Sequence, residues 1–330
     1  MGRDKYTEIV SQYCELMPSV PSRSLARLIL KEHPDMSGGD IDKIRSRVRI
    51  ARGKHGARMR GTARKIVESN IDGYLPPPMH SKREPYVLTQ TGHILHIGDI
   101  HVPFHEPAAI RLMLQYVTDH YDIKALAING DFWDCLSISK FGKDKRPPTM
   151  QEEKDYAEDV LETLEDAFPK AKKILKLGNH EARLARYLYT NVPDMYEMIN
   201  ESVADLFGCV QRGWDVVGDK QLIKAGKLWV CHGGEVGINS VGVNPARSLY
   251  LKTKATALCF HLHSPSSHVE KTLDGRYPQC WSAGCLCDLQ PDYCPHSNRH
   301  MHGFAIQHIE KDGNFCLENM KILHDRVVRA

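Results

Sequence analysis

Apolar residues at Tyr6, Ile9, Val10, Tyr13 and Leu16 recur with a helical period, so residues 4–16 are expected to form an amphipathic helix. The stretch MPSVPS ends it. Ser22 or Ser24 can cap a second helix, LARLILKEH, which stops before Pro34. After Ser37 and the GGD turn, IDKIRSRVRIARGK predicts a third helix. Ile41, Ile44, Val48 and Ala51 face one way along it and Arg45, Arg49 and Arg52 the other, with Gly53 placed to terminate it. From residue 91 the pattern changes to strand and helix in alternation. HILHI (93–97) precedes a helix near 107–120, then come the strand IKALAING, a charged helix over about 150–167, the strand KILKLG and a helix from about 180. That order implies parallel strands in a layered α/β domain. After about residue 214 the elements shorten, and KLWVCHGG, ATALCFHLH, SSHVEK, GFAIQHIE and NFCLENMKIL predict strands of a second, more mixed sheet.

Charge divides the chain at the same place as pattern. Residues 1–85 hold 17 Lys/Arg against 10 Asp/Glu, and the remainder 27 against 31, so a basic head precedes a mildly acidic body. Between Lys43 and Lys65 there are ten basic residues and no acidic one. Three short helices ending in this run resemble a helix-turn-helix module, and Arg45, Arg49 and Arg52 are the expected nucleic-acid contacts; a solvated basic tail or a protein contact are the alternatives. The expected divisions are a helical domain over 1–65, a linker over 66–90 containing PPPMHSKREP, and the α/β domain over 91–330. No apolar run approaches the roughly 18–20 residues that span a bilayer. The segment MGRDKYTEIV lacks a signal core, and Tyr6 stands where a myristoylation signal wants Ser or Thr. The expectation is a cytoplasmic protein without a membrane partner, its ten scattered cysteines reduced.

In α/β sheets ligands bind beyond the carboxyl ends of the strands. There the chain places Asp99 and His101 in GDIH, Asp131 and Asp134 in GDFWD, Asn179, His180 and Glu181 in GNHE, His232 in HGG, and His261 and His263 in HLH. On an extended segment Asp99 and His101 would point to one side, as a metal requires. One such pair means little. Five in succession form a pattern, and glycine introduces several of them.

This ordered set resembles the calcineurin-like metallophosphoesterase superfamily over about residues 95–265, and the resemblance does not reach residues 1–85. It implies an α/β fold, a two-layered β-sandwich flanked by helices, joined here to a small all-α N-terminal domain. By the same resemblance Asp99, His101 and His263 would hold one divalent ion and Asn179, His232 and His261 a second, with Asp131 between them. His180 would be the general acid and Asp134 its orienting partner. Phe260 stands where the family pattern has glycine, which would shift the backbone of the last two ligands. A mixed Asp/His/Asn set suits manganese, iron or zinc better than magnesium, with manganese the first expectation. Two ions about 3.5–4 Å apart activate water and stabilise an in-line displacement.

The expected function is a two-metal phosphoesterase acting on nucleic acid, as a nuclease or phosphodiesterase. Phosphomonoesterase and Ser/Thr protein phosphatase are the alternatives, and an inactive nucleic-acid-binding relative is the rival outside catalysis. The head and linker resemble those of phage-encoded members of the superfamily. Arg183 could clamp a substrate phosphate or form a plain salt bridge, and His105 could touch a phosphate or serve the surface. Cys280, Cys285, Cys287 and Cys294, with His296, have a spacing that matches no usual zinc knuckle and read as free thiols. His302 reads as structural. Oligomeric state is left open.

Overall fold

In the basic head, α1 (Lys5–Leu16), α2 (Ser22–Glu32) and α3 (Ile41–Ala51) close around Val10, Leu25, Ala26, Ile29, Ile44 and Val48, all buried. The computed structural model describes residues 5–53, 83–140, 146–196, 199, 202–238, 242–291, 296 and 298–329, divided into one unit up to Ser81 and another from Lys82. Neither Ser22 nor Ser24 caps α2: Pro21 takes the cap position, because a fixed φ suits a helix start even without a side-chain acceptor. Asp40 caps α3 instead, accepting from the amides of Asp42 and Lys43. Ala51, expected on the core side, is exposed as α3 ends. The basic run beyond Gly53 and most of the expected linker lie outside the described residues.

The second unit begins with β1 (Tyr86–Leu88), which converts the end of the expected linker into a strand. The elements β2 (Gly92–Ile97), α4 (Pro107–His120), β3 (Ile123–Asn129), α5 (Met150–Ala167), β4 (Lys172–Lys176) and α6 (Ala182–Asn191) follow as the pattern predicts. Short pieces come next: α7 (Pro193–Tyr196), α8 (Val203–Leu206), β5 (Asp215–Val217), β6 (Ile223–Ala225) and β7 (Leu228–Val230). The chain ends through α9 (Pro245–Thr253), β8 (Ala257–Cys259), β9 (Ser266–Val269), β10 (Gln279–Ser282), β11 (His302–Ile309), β12 (Phe315–Leu323) and β13 (Arg326–Arg329).

Two sheets result, ordered β13-β12-β11-β2-β3-β4-β5 and β1-β6-β7-β8-β10-β9. The expectation that GFAIQHIE and NFCLENMKIL belong to the second sheet is corrected. β11 pairs antiparallel with β2 and β12 with β11, which extends the first sheet. Apolar alternation marks a strand but not its neighbour, and β2 had an open edge for β11 to take.

Alternation along each strand then builds the layers. Ile94, Ala125, Ala127 and Ile174 face Ile223, Leu228, Val230 and Leu258 across the two sheets. Leu95, Ile97, Leu126, Ile128 and Leu175 turn the other way, onto α4 and α5 through Met113, Val117, Leu161 and Leu164. α9 covers the outer face of the second sheet with Ala246, Leu249 and Tyr250. The second unit is thus two sheets packed together with helices on both outer faces. Among the described residues, no helix is long and apolar enough to cross a membrane.

Candidate metal centre

Each candidate residue lies where the chain leaves a strand. Asp99 and His101 follow β2, Asp131 and Asp134 follow β3, Asn179 and His180 follow β4, His232 follows β7, and His261 and His263 follow β8. β2, β3 and β4 run parallel, as do β7 and β8, so their carboxyl ends fall on one edge of each sheet. The two edges meet. His232 Nε2 lies 2.9 Å from Asn179 Oδ1, 3.1 Å from Asp131 Oδ2 and 3.1 Å from His261 Nδ1. His101 Nε2 lies 3.3 Å from His263 Nε2, which is 3.6 Å from Asp99 Oδ1.

The extended conformation expected at Asp99 and His101 is corrected. Both have φ of +51°, and Asp131 (+50°), His261 (+69°) and His263 (+51°) share the left-handed region. Such backbone costs of order 1–3 kcal/mol per non-glycine residue and persists only where its surroundings hold it. Here the amides of Ile100 and His101 both donate to Asp131 O at 3.0 Å, Asp99 N donates to Gly130 O at 3.0 Å, and Met301 N donates to His263 O at 2.8 Å. Asp99 Oδ2 accepts from His261 N at 2.8 Å, tying the first motif to the last. Gly178 is small by necessity, since a Cβ there would lie 2.2 Å from Asp131 Oδ1.

Phe260 has a neighbouring glycine to pack against. Its buried ring lies against Gly98, where a Cβ would fall 2.8 Å from Phe260 Cδ1. Its amide donates to His232 O at 2.8 Å, so the last motif stays anchored to the fourth.

The electrostatics of the cluster fit bound cations. His232 Nδ1 donates to Asn129 O at 3.1 Å, which leaves the Nε2 lone pair facing Asp131 and Asn179 oxygens. His101 and His263 likewise present ring nitrogens to each other, and Asp99 Oδ1 is buried without a hydrogen-bond partner. Acceptors facing acceptors in a dry site require a proton or a metal between them. Without a metal the protein draws in protons. Burial alone would depress His232, but the Asp131 and Asp99 carboxylates outweigh it and raise it to about 9. His101 goes the other way, to about 3, because burial and the neighbouring His180 dominate.

His180 stands beside this cluster, its ring edge-on to His101 with centroids 4.5 Å apart. Its Nδ1 lies 3.1 Å from Asp134 Oδ1, the partner expected for it, and 2.9 Å from the Asp134 carbonyl. Burial would lower His180, but the Asp131 and Asp134 carboxylates outweigh it and hold it above the usual imidazole value. Arg183 forms the salt bridge of the two alternatives, donating to Asp134 Oδ1 at 2.9 Å and to its carbonyl at 2.6 Å. It also donates to His180 Nε2 at 2.9 Å, so in this arrangement the His180 proton resides on Nδ1. His105 is joined through its backbone to Cys287 by an isolated bridge, and its Nδ1 is buried and unpartnered.

Three residues around the cluster have roles that the sequence reading did not assign: Glu181, which it named without a role, and Glu235 and Glu153, which it did not name. The buried Glu181 carboxylate accepts from the amides of Gly178 (2.7 Å), Asp131 (3.1 Å) and Trp133 (3.0 Å), fixing two motifs at once. Its acidic position inside GNHE was the available signal. Glu235 accepts from the amides of His232 and Gly233 and pairs with Lys176 at 3.0 Å, both side chains being almost wholly buried. Glu153 on α5 accepts from the amides of Cys135 and Leu136, just past Asp134. Sequence separation hid the Glu153 contacts and the pairing of Glu235 with Lys176, whereas the Glu235 contacts to His232 and Gly233 are local. The described cysteines are free thiols, and Cys294 lies outside the described residues. His302 Nε2 donates to Cys287 O at 2.9 Å.

In the basic head the expected arginine face is reduced. Arg49 is exposed, and Arg45 is partly exposed with Asp42 at 3.6 Å. Arg52 turns inward, donating to Val20 O at 2.6 Å, Met17 O at 2.8 Å and Ser22 Oγ at 3.4 Å. Its guanidinium closes the α1–α2 turn, so its donors are not free for a phosphate.

Residues 92–292 match the sequence family described as calcineurin-like phosphoesterase. No curated protein matches the chain. Among solved structures it is similar to Vps29 of Entamoeba histolytica complexed with zinc, at 14% identity over 72% of this chain and 97% of that one, with a TM-score of 0.38. It is also similar to Vacuolar Protein Sorting 29 of Cryptosporidium parvum, at 12% identity over 73% and 97%, with a TM-score of 0.38. A dimetal phosphatase of Danio rerio is similar at 10% identity over 72% and 99%, with a TM-score of 0.34.

Proposed function

The chain belongs to the calcineurin-like phosphoesterase family, and from that premise we propose that it is a two-metal hydrolase of phosphate esters whose substrate is nucleic acid. The observation that carries the hydrolase reading is the meeting of both sheet edges in one buried set of facing nitrogen and oxygen donors, with Asp99 Oδ1 left without a partner. Asp99, His101 and His263 would hold one ion and Asn179, His232 and His261 the other, with Asp131 placed between. Bound, the ions supply charge neutralisation at the phosphate oxygens and an ionised water at neutral pH. Manganese is the first expectation for these ions, and the mixed imidazole–carboxylate set also suits iron or zinc ahead of magnesium.

The chain's own acid–base work falls to His180. Asp134 orients the ring through Nδ1 and favours the imidazolium, so that Nε2 can give a proton to the leaving oxygen. Arg183 occupies that nitrogen in this structure, so it must release Nε2 as the leaving group arrives. Its positive charge then stays beside the departing ester.

The nucleic-acid assignment rests on the basic run Lys43–Lys65, with Arg45 and Arg49 as the contacts and a helix-turn-helix-like, phage-type head as its carrier. The centre by itself serves a protein phosphatase or phosphomonoesterase equally well. The test uses purified full-length protein with manganese on a chromogenic diester and the matching monoester, together with anisotropy of labelled duplex and single strands across salt concentrations. Diester cleavage with salt-dependent binding is expected. Monoester cleavage alone, with no binding of either strand, would give the site to a phosphatase.

A further inference from the structure

Cys285 and Cys287 flank the candidate centre, a placement that ester hydrolysis does not use. Leu286 between them is buried in the core beneath the helices, so in locally extended chain the two sulfurs fall on the opposite side together. Cys287 Sγ lies 3.9 Å from His263 Nδ1, and donor atoms of Cys287, His263 and His101 all lie within 4.8 Å of one another. Cys285 Sγ lies on the same side and donates to Met301 O at 3.6 Å, the residue whose amide holds His263 O. The ring of His300 packs on His263 with centroids 4.5 Å apart, and its Nδ1 is buried with no partner. His263 therefore faces two ways: Nε2 toward Asp99 and His101, and Nδ1 toward the sulfurs.

We propose that Cys285, Cys287 and His263 Nδ1 form a binding site for one thiophilic divalent ion of the zinc or cadmium class, beside the two-metal centre, with His300 as the fourth donor. Bond lengths of about 2.3 Å to sulfur and 2.0–2.1 Å to nitrogen at a tetrahedral angle put the two atoms about 3.6 Å apart, near the spacing found here. Soft sulfur donors select such an ion over manganese or magnesium, which keep to the oxygen and nitrogen donors on the other side of His263. Binding forms two metal–sulfur bonds and one bond each to His263 Nδ1 and His300 Nδ1, and the thiol protons and any proton on those two nitrogens leave to solvent. The His263 ring then joins the two sites, Nδ1 holding the soft ion while Nε2 stays turned toward Asp99 and His101.

Cobalt(II) tests this, because sulfur ligation alone gives it an intense near-ultraviolet charge-transfer band. Metal-free full-length protein titrated with cobalt(II) is expected to develop that band, and saturating manganese added beforehand is expected to leave it. Cys285→Ser and Cys287→Ser should each weaken it at least tenfold in apparent affinity, and the double variant should lose it and bind one cobalt fewer per chain. Cys280→Ser and Cys316→Ser should keep it. Circular dichroism and retained manganese binding in the single variants separate a lost site from a lost fold. No band in the unaltered protein, or an undiminished band in both single variants, overturns the proposal. The band reads sulfur ligation rather than hydrolysis, so it fails or survives independently of the phosphoesterase reading.

Discussion

Lys176→Met is expected to destabilise the larger unit by about 3–5 kcal/mol, the cost of leaving one member of a buried ion pair alone. Lys176 is fully buried and Glu235 nearly so, with Nζ 3.0 Å from Oε1. The same Nζ donates to Asp219 O at 3.0 Å and to the carbonyls of Leu177 and Gly218 at 3.4 Å, all of which the methionine would strand. Burial alone would raise Glu235, but Lys176 and the Gly233 amide outweigh it and hold its carboxyl below the usual value. All four tryptophans, Trp133, Trp214, Trp229 and Trp281, belong to this unit, so their emission in urea follows it alone. For a unit of this size the loss corresponds to a fall in Tm of roughly 6–20 °C. The double variant Lys176→Met/Glu235→Gln buries no charge and should be more stable than Lys176→Met by about 2 kcal/mol or more. Because Glu235 accepts from His232 and Gly233 amides, the single variant should also retain less manganese. A cost below about 1 kcal/mol, or a double variant no more stable than the single, would refute the account.

His180→Ala should keep both ions yet slow turnover by roughly 10²–10⁴-fold on alkyl leaving groups, and less on nitrophenyl ones that need little protonation; equal losses on both would remove the acid role. Arg45→Ala/Arg49→Ala should flatten the salt dependence of DNA binding, by about 0.9 in log–log slope for each phosphate that the variant leaves unneutralised, with chromogenic hydrolysis unchanged. Arg52→Ala should instead lower the melting point of the basic head, because its donors hold Met17 and Val20 carbonyls; an unchanged melt would return it to the binding face. Burial raises Glu153 from its usual 4.5 to about 7, so between those values the folded chain binds more protons than the unfolded one and stability falls as pH rises, by about 3 kcal/mol in all. Glu153→Gln should remove that slope from urea midpoints measured between pH 5 and about 8.

The sequence by itself determined the parallel strands, because apolar runs closed by GDIH, GDFWD and GNHE mark both a strand and its carboxyl end. It also determined which residues would face each other, since chemistry placed at successive strand ends converges wherever the strands are parallel. Tertiary structure decided the rest. Only the folded chain shows β11 returning to β2, since alternation defines faces and not neighbours. Only it shows the left-handed backbone at Asp99, His101, Asp131, His261 and His263, which is imposed by hydrogen bonds between motifs far apart in sequence. Arg52 reads as one more basic side chain on a helix until the α1–α2 turn supplies carbonyls for it to cap. Glu235 and Lys176, 59 positions apart, look like surface charges until both are buried together. Cys285 and Cys287 fit no zinc spacing in the sequence, and only the fold brings His263 and His300 beside them from other segments. Local pattern encodes what neighbours in sequence do to one another; burial, pairing and shared donors depend on distances that only the closed fold sets.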